Sequence, residues 1–413
     1  MPREILFLTS TNLACNPRCL KEVRLLASAD VRVTVVAFQL HNWTTEKEKE
    51  LNNELKTVRF HYLDAGRHPL LPWLYASLLE KGCRVIRKLA PSNVRIAAIA
   101  LHKRSWSMLH WVKQNKKKYH LVVAHNPPAF YSAAWLASKT GSAFALDIED
   151  YHPGEGHDPA EQQGSLLLMR SLQGKAAYVS YASPLIKEYS QRLMENKGEG
   201  AFFVVNNTFP RSDFKRPATG PVAGRTEERL RLVWFSQFID YGRGLEKILP
   251  ALDSFSDAIQ LTLIGSMRPA FHNREVAGRT YIDCRNALPE KELHLALGDY
   301  DIGLALEDGS VDLNRNLCLT NKIWSYLLAG LFIVASDTDA QRRFLEDFPG
   351  HGLCCTLSSD RFTPAIAACV ADREAIRESR ARRFDNATAA GWEKESLLLV
   401  RQWEKTIGLP MET

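Results

Sequence analysis

The stretch CLTNKIWSYLLAGLFIVASD, residues 318–337, opens on polar residues, continues as a buried helix and closes on a strand. Thr320 stands where an N-cap belongs, because its hydroxyl can accept from the unpaired N–H groups of a first helical turn. Gly330 stands at the C-cap, where a left-handed backbone ends a helix without a Cβ clash. LFIVAS then reads as a short buried strand. A helix followed at once by such a strand is half of a parallel crossover unit, and the fold follows from finding its repeats. Lys322 is the odd residue. A cation in the first turn opposes the helix dipole, and an anion bound in front of it would remove the conflict; the bland alternative is a solvent-facing lysine with no ligand.

The alternation extends in both directions. Upstream run LRLVWFSQF, GLEKILPALDSF, QLTLIGS, RTYIDCRNA, EKELHLALGDY and DIGLALE. In the first half, EILFLTS, CLKEVRLLASAD and VRVTVVAF read as strand, helix and strand, and the pattern resumes with HLVVAHNPP, AFYSAAWLASKTG, FALDIEDYH, AAYVSYAS and AFFVVNNTF. Strand, helix and parallel strand in succession imply right-handed crossovers and a doubly wound α/β sheet. Between the two series, RSDFKRPATGPVAGRTEERLR has Pro, Gly and charge without periodicity, a linker by composition. The expected division is 1–210 as a first Rossmann-like domain, 211–230 as linker, 231–390 as a second Rossmann-like domain, and 391–413 as a C-terminal helix crossing back to the first.

Size agrees, since 413 residues exceed what one core usually supports. With 45% hydrophobic and 24% charged residues, the composition is that of a globular protein. No apolar run reaches the length of a membrane span, and MPREILFLTSTN lacks a signal peptide's order, so a cytoplasmic protein is expected. Eight cysteines have neither disulfide-scaffold density nor zinc spacing, and reduced, mostly buried thiols are expected. The net charge of +6 is uneven: residues 80–118 hold eleven Lys/Arg against one Glu. Leu101, Trp106, Leu109 and Trp111 interleave, with LPWLY at 71–75 just upstream. A solvated helical face over a core accounts for this pattern. Peripheral contact with anionic lipid through 71–118, on the inner face of a membrane, is the sharper alternative. Nucleic acid is excluded as a partner because no recognition motif accompanies the charge.

Ligands of doubly wound sheets bind at the carboxyl ends of strands. In SQFIDYGRGLE, Gly242 and Gly244 flank Arg243 between a strand and a helix, so backbone N–H groups, a helix N-terminus and a guanidinium could converge on a phosphate; a plain turn is the alternative. The loop EDGSVDLNRNLCL carries Glu307, Asp308, Asp312, Asn314 and Arg315, which could bond a polyhydroxy ligand. In the first half the acidic loop DIEDYHPGE follows a strand end. Its Glu149, Asp150 and His152 are the catalytic candidates, able to orient a hydroxyl or take its proton. Asn12, Arg18, His125 and Asn126 also follow strand ends and are further ligand candidates.

Taken in order, the RG-helix, LIG, NALPEKEL, YDIGLAL and TNKIWSYLLAGLFIVASDT resemble the nucleotide-binding half of retaining GT-B glycosyltransferases, the glycogen-synthase-like (family 4-like) bacterial sugar transferases. NPRCLKEVRLLA, VNNTF and GWEKE extend the resemblance over most of the chain. It implies two Rossmann-like domains with an interdomain cleft, a nucleotide-diphosphate sugar donor, a glycan or lipid-linked acceptor, retention of anomeric configuration, and no cofactor or metal. Arg243, with Gly242 and Gly244, and Lys322 would meet the diphosphate; Glu307 would meet the transferred sugar and Asn321 would contribute nearby; Glu149, Asp150 and His152 would act on the acceptor hydroxyl, with Asn12, Arg18, His125 and Asn126 on the acceptor side. The family usually places two Glu eight positions apart around this helix, the second on the ribose. Here those places hold Leu317 and Ser325, so a carboxylate grip on the ribose is lost at Ser325. DYD at 299–301 resembles the metal-binding DxD of another glycosyltransferase fold but falls at a strand entry. A nucleotide-sugar 2-epimerase and a non-catalytic sugar-nucleotide or glycan-binding protein are the rival readings.

Overall fold

The structure, a computed structural model, describes residues 3–29, 31–67, 69–194, 198–217 and 229–408. The chain divides into two compact units, Met1–Asn206 with Leu397–Thr413, and Asn207–Ser396. Of the expected linker, residues 218–228 lie outside the described residues, while 211–217 carry a short turn at Arg211–Asp213.

The first unit holds seven parallel strands: β1 (Arg3–Thr9), β2 (Val31–Gln39), β3 (Arg59–Asp64), β4 (Leu121–His125), β5 (Ala143–Ile148), β6 (Tyr178–Tyr181) and β7 (Ala201–Val204). Their order is β3-β2-β1-β4-β5-β6-β7. Ile5 to Leu8 are fully buried, because helices cover both faces of a parallel sheet and its central strands read as unbroken apolar runs. Trp403 belongs to this unit, buried completely with its indole N–H donating to the Tyr178 hydroxyl at 2.8 Å.

The second unit holds β8 (Leu230–Ile239), β9 (Ile259–Met267), β10 (Ile282–Arg285), β11 (Ile302–Ala305), β12 (Phe332–Ser336) and β13 (Gly352–Cys355), ordered β10-β9-β8-β11-β12-β13. All pairings are parallel. The two-residue period of a strand sends Leu232 and Trp234 into one core with Ile248, Leu304 and Phe362, and Val233 into the other with Ile323, Tyr326 and Leu327. In both sheets the order reverses beside the first strand, between β1 and β4 and between β8 and β11. Those two reversals are where ligands of such sheets gather.

The opening stretch forms the helix Asn321–Leu328, buried from Lys322 onward, and then β12. Gly330 has φ 71° and a Cβ there would lie 2.8 Å from the Arg380 carbonyl oxygen, so both conformation and space demand glycine. Arg383 Nε donates to the Gly330 carbonyl at 3.1 Å. β3 and β13 are additions to the alternation read from sequence; each is an edge strand of six and four residues respectively, too short and too half-exposed for a clear apolar run. The eight cysteines are all free, but only Cys19 and Cys369 are buried, which corrects the expectation of mostly buried thiols. Among the described residues no helix is long and apolar enough to cross a membrane.

Candidate functional site

At the reversal of the second sheet, β8 ends in a turn whose Gly242 and Gly244 have φ 80° and 84°. That left-handed pair turns the chain into the helix Leu245–Asp253. At Gly244 a Cβ would also meet Leu357 at 2.7 Å. Arg315, from the polar loop after β11, donates to the Gly242 carbonyl at 2.6 Å, and Glu246 accepts from the Gly242 N–H at 2.8 Å. The turn is thus braced from two sides, and Arg243 at its tip is exposed.

Beyond β11, Glu307 is buried with its N–H bonded to Ser336 Oγ at 2.8 Å. Its carboxylate lies 3.2 Å from Lys322 Nζ, which is also buried and sits 5.7 Å over the Trp234 ring. Lys322 therefore points inward rather than into solvent. The N-cap Thr320 has the extended backbone of a cap, yet its hydroxyl makes no capping bond and is buried without a hydrogen-bond partner among the described residues. A buried ammonium in the first turn and an unsatisfied hydroxyl beside it are two donors that an anionic oxygen would satisfy. Asp308 pairs with Lys247 at 2.5 Å; burial raises its pKa, but Lys247 and Ser310 outweigh this and hold it below the usual value.

Asn321 Oδ1 accepts from Asn207 at 2.8 Å. Ser325 is buried; its hydroxyl donates to the Asn321 carbonyl at 3.1 Å and lies 3.3 Å from His294 Nε2. His294 stacks on Phe214 at 4.5 Å and meets the edge of Phe209 at 4.4 Å. Ser325, where the resemblance puts a carboxylate, is thus a small hydroxyl against an aromatic-lined histidine. In the DYD segment, Asp301 is buried and accepts from the Arg231 N–H at 3.0 Å and from Arg377 at 3.4 Å, the work of a strand anchor.

At the reversal of the first sheet lies a buried ionic cluster. Arg18 makes a two-pronged bond with Asp147, 2.8 and 2.6 Å, and donates to the Val205 carbonyl at 2.5 Å. His125, fully buried at the end of β4 and stacked on Phe7, has Nδ1 3.2 Å from Asp147 and 3.1 Å from Glu149. Its Nε2 faces Glu22 at 3.8 Å. Burial opposes charge on this ring, but Cys19, Glu22 and Asp147 outweigh it and raise the His125 pKa well above 6.5. Burial also pushes the Asp147 pKa up, and Arg18 and His125 overturn that, leaving it well below the ordinary value. For Glu22 burial wins over the nearby His125, and the pKa rises. Two cations, Arg18 and His125, face the carboxylates of Asp147 and Glu149, and the rise in the Glu22 pKa lessens the negative charge beside them, which is how so many ionisable groups can share one dry site. Glu22, His125 and Asp147 place donor atoms within 4.8 Å of one another, a spacing a cation could bridge. The donor set does not suit one, because both Asp147 oxygens already accept bonds, from Arg18 and Ser180.

The structure brings Glu149 and His125 together, with Asn16 donating to the same Glu149 oxygen at 2.6 Å. His152 instead binds Glu155 within its own loop at 2.7 Å; burial lowers its pKa, but Glu155 more than compensates. The Asp150 carbonyl accepts from the His152 N–H. Asn12 is buried, capping the turn at Cys15 and donating to Thr44 at 2.6 Å. Asn126 has φ 69° and accepts from Thr9. Glu22 and Asn16 join this cluster without being among the candidates that the sequence suggests. The signal for Glu22 was its spacing four residues after Arg18, which puts both on one helical face; Asn16 was legible only as the cap before Pro17.

Residues 15–198 match the glycosyl transferase 4-like domain. No curated protein matches the sequence. Among solved structures, the chain is similar to sucrose-phosphate synthase from Thermosynechococcus elongatus, with TM-score 0.66 and 12% identity over 98% of this chain and 100% of that one. It is similar to Anabaena HepE in complex with UDP-glucose, TM-score 0.65 and 13% identity over 97% and 99%. A Listeria monocytogenes protein designated a UDP-N-acetylglucosamine 2-epimerase shares the fold less closely, TM-score 0.56 and 11% identity over 100% of both chains.

Proposed function

We propose that this chain, which carries a glycosyl transferase 4-like domain at 15–198 and shares the GT-B fold of its structural neighbours, moves a sugar from a nucleotide-diphosphate donor to an acceptor hydroxyl. Transfer retains the anomeric configuration, needs no metal, and serves surface-polysaccharide or glycolipid assembly, with 71–118 as a contact to the membrane that carries the acceptor. The observation that supports this best is the buried Lys322 beside the unsatisfied Thr320 hydroxyl at the helix N-terminus.

The chemistry follows from charge. As the bond between the anomeric carbon and the diphosphate oxygen breaks, negative charge gathers on the leaving diphosphate. Lys322, Arg243 and the N–H groups of the helix Asn321–Leu328 stabilise that charge, with Glu307 fixing the ammonium at 3.2 Å. Gly242 and Gly244 let the backbone approach the phosphates, and Asn321 borders the nucleotide, supported from behind by the buried Ser325. In the first unit Glu149, Asp150 and His152 orient the acceptor hydroxyl, with Asn12, Arg18, His125 and Asn126 shaping its surroundings. The complex of HepE with UDP-glucose makes UDP the first probe for this chain.

Calorimetric titration with UDP and UDP-glucose, with and without EDTA, tests the reading. Binding and slow release of UDP from the sugar nucleotide, both insensitive to EDTA, are expected. A panel of nucleotide sugars that leaves the protein's unfolding temperature unmoved would sink it. Isomerisation of a nucleotide sugar without any acceptor would favour the 2-epimerase reading, and binding without turnover the non-catalytic one.

A further inference from the structure

The first unit carries a helix whose amphipathic order is reversed. In Leu70–Ile86 and the turn after it, Leu70, Leu71, Leu74, Tyr75, Leu78, Val85, Ile86 and Leu89 are exposed, Leu71 at 79% and Leu89 at 87%. At 100° per residue, positions 71, 74, 75, 78, 82, 85 and 89 fall on one stripe. Three of the charged side chains, Glu80, Arg84 and Arg87, face the other way. Glu80 accepts from the Lys103 N–H at 3.0 Å, Arg84 donates to the Ala100 carbonyl at 3.0 Å, and Arg87 donates to the Ala160 carbonyl at 2.7 Å. Ala76, on that inner side, is buried. A helix that turns charge inward and leucine outward has an apolar face made for a partner, since contiguous exposed patches of this kind mark interaction surfaces.

Charge identifies the partner. Lys81 and Lys88, seven residues apart, flank the stripe and are exposed, as are Arg67 and Arg95. At the helix N-terminus Arg67 and Lys103 crowd the Trp73 ring at 5.5 and 4.8 Å. Between 65 and 118 the one acidic residue is Glu80, and it is committed inward. A second copy of the chain meeting this face by a two-fold axis would oppose lysine with lysine. An anionic bilayer answers both features, taking the leucines among its acyl chains and the cations among its headgroups. The helix, about 25 Å long at 1.5 Å per residue, would lie flat on it.

We infer that the face formed by Leu71, Leu74, Leu78, Val85 and Leu89, edged by Lys81 and Lys88, docks the protein on an anionic lipid bilayer. The inference deepens the membrane part of the function proposed above and rests on that reading for its purpose, the delivery of a lipid-linked acceptor, though the docking itself can be measured alone.

Co-sedimentation with phosphatidylcholine vesicles, with and without phosphatidylglycerol, tests it on the whole chain. Binding to the phosphatidylglycerol vesicles is expected, weakening with salt. The variant L71S/L78S/V85S should bind about tenfold less or weaker, and K81E/K88E should lose about fivefold per charge removed. These side chains are exposed, so thermal unfolding should be unchanged in both variants. Vesicle binding that is absent, or indifferent to both variants, overturns the inference. So does a native dimer in analytical ultracentrifugation that the leucine variant turns into monomer, since the face is then an interface between copies. UDP titration of the same proteins separates the two claims: UDP binding without vesicle binding overturns docking alone, and vesicle binding without UDP binding supports docking while removing the transferase reading.

Discussion

Each sheet reverses its strand order beside its first strand, and each places a buried cation there, but the two cations live in opposite circumstances. Arg18 spends three of its five N–H donors inside the protein, two on Asp147 and one on the Val205 carbonyl. Lys322 touches one carboxylate and shares its helix N-terminus with an unsatisfied Thr320 hydroxyl. A guanidinium gripped by three internal bonds holds the structure in place; an ammonium with a single carboxylate partner beside an unsatisfied hydroxyl is set to receive an anion. The first cluster is closed by its own ion pairs; the second pairs Lys322 with Glu307 and still offers donors to an anion.

Breaking the closed cluster should have the largest effect. Asp147→Ala leaves Arg18 and His125 buried without their shared counter-charge, and a loss of about 3–5 kcal/mol is expected, measured as a lower urea midpoint at constant slope. Lys322→Ala strands one carboxylate, Glu307, where Asp147→Ala strands two cations, so a smaller loss of stability is expected, with UDP affinity falling about tenfold to a hundredfold, the worth of one or two charged hydrogen bonds. Equal UDP affinity in wild type and K322A would erase the contrast between the two cations.

The pH dependence sharpens it. The raised folded pKa of His125 gives stability that is complete below its unfolded value of 6.5 and fades as pH rises through the folded one. Asp147, with its folded pKa depressed, gives stability present above 3.8 and lost as pH falls towards its folded value. Glu22 acts in the opposite sense, because its raised pKa penalises folding once pH exceeds 4.5. Glu22→Gln should therefore unfold at a higher temperature than wild type at neutral pH and match it at pH below 4.5; a lower unfolding temperature at both would show that the glutamate is ionised and paired. The smallest effect belongs to Ser325→Ala, about 1 kcal/mol of stability for the bonds to Asn321 and His294, with UDP affinity unchanged. A large loss of UDP affinity would instead put Ser325 at the nucleotide.

Much of this was legible in the chain itself. The Gly242-Arg243-Gly244 turn, the helix at Asn321 and the strand ends carrying Asn12, His125 and Glu149 all follow from local rules, since turns, caps and apolar runs depend on neighbours in sequence. Glu22 and Asn16 were not legible as site residues, because nothing near them in sequence says that they converge with His125 and Glu149 more than a hundred residues away. The outward face of Leu70–Ile86 was half legible. The basic, aromatic-rich segment is plain in the sequence, but a helix with apolar and charged sides does not disclose which side meets the core.

By itself, then, the sequence determined two alternating α/β series, the glycine at 330 that ends the helix, and the placing of Lys322 against its dipole, all set by short-range sterics and hydrogen-bonding needs. Tertiary structure alone decided which charges close on one another. Arg18 and Asp147 lie 129 positions apart, and whether a buried cation is spent or waiting depends on what distant strands bring within three ångströms of it.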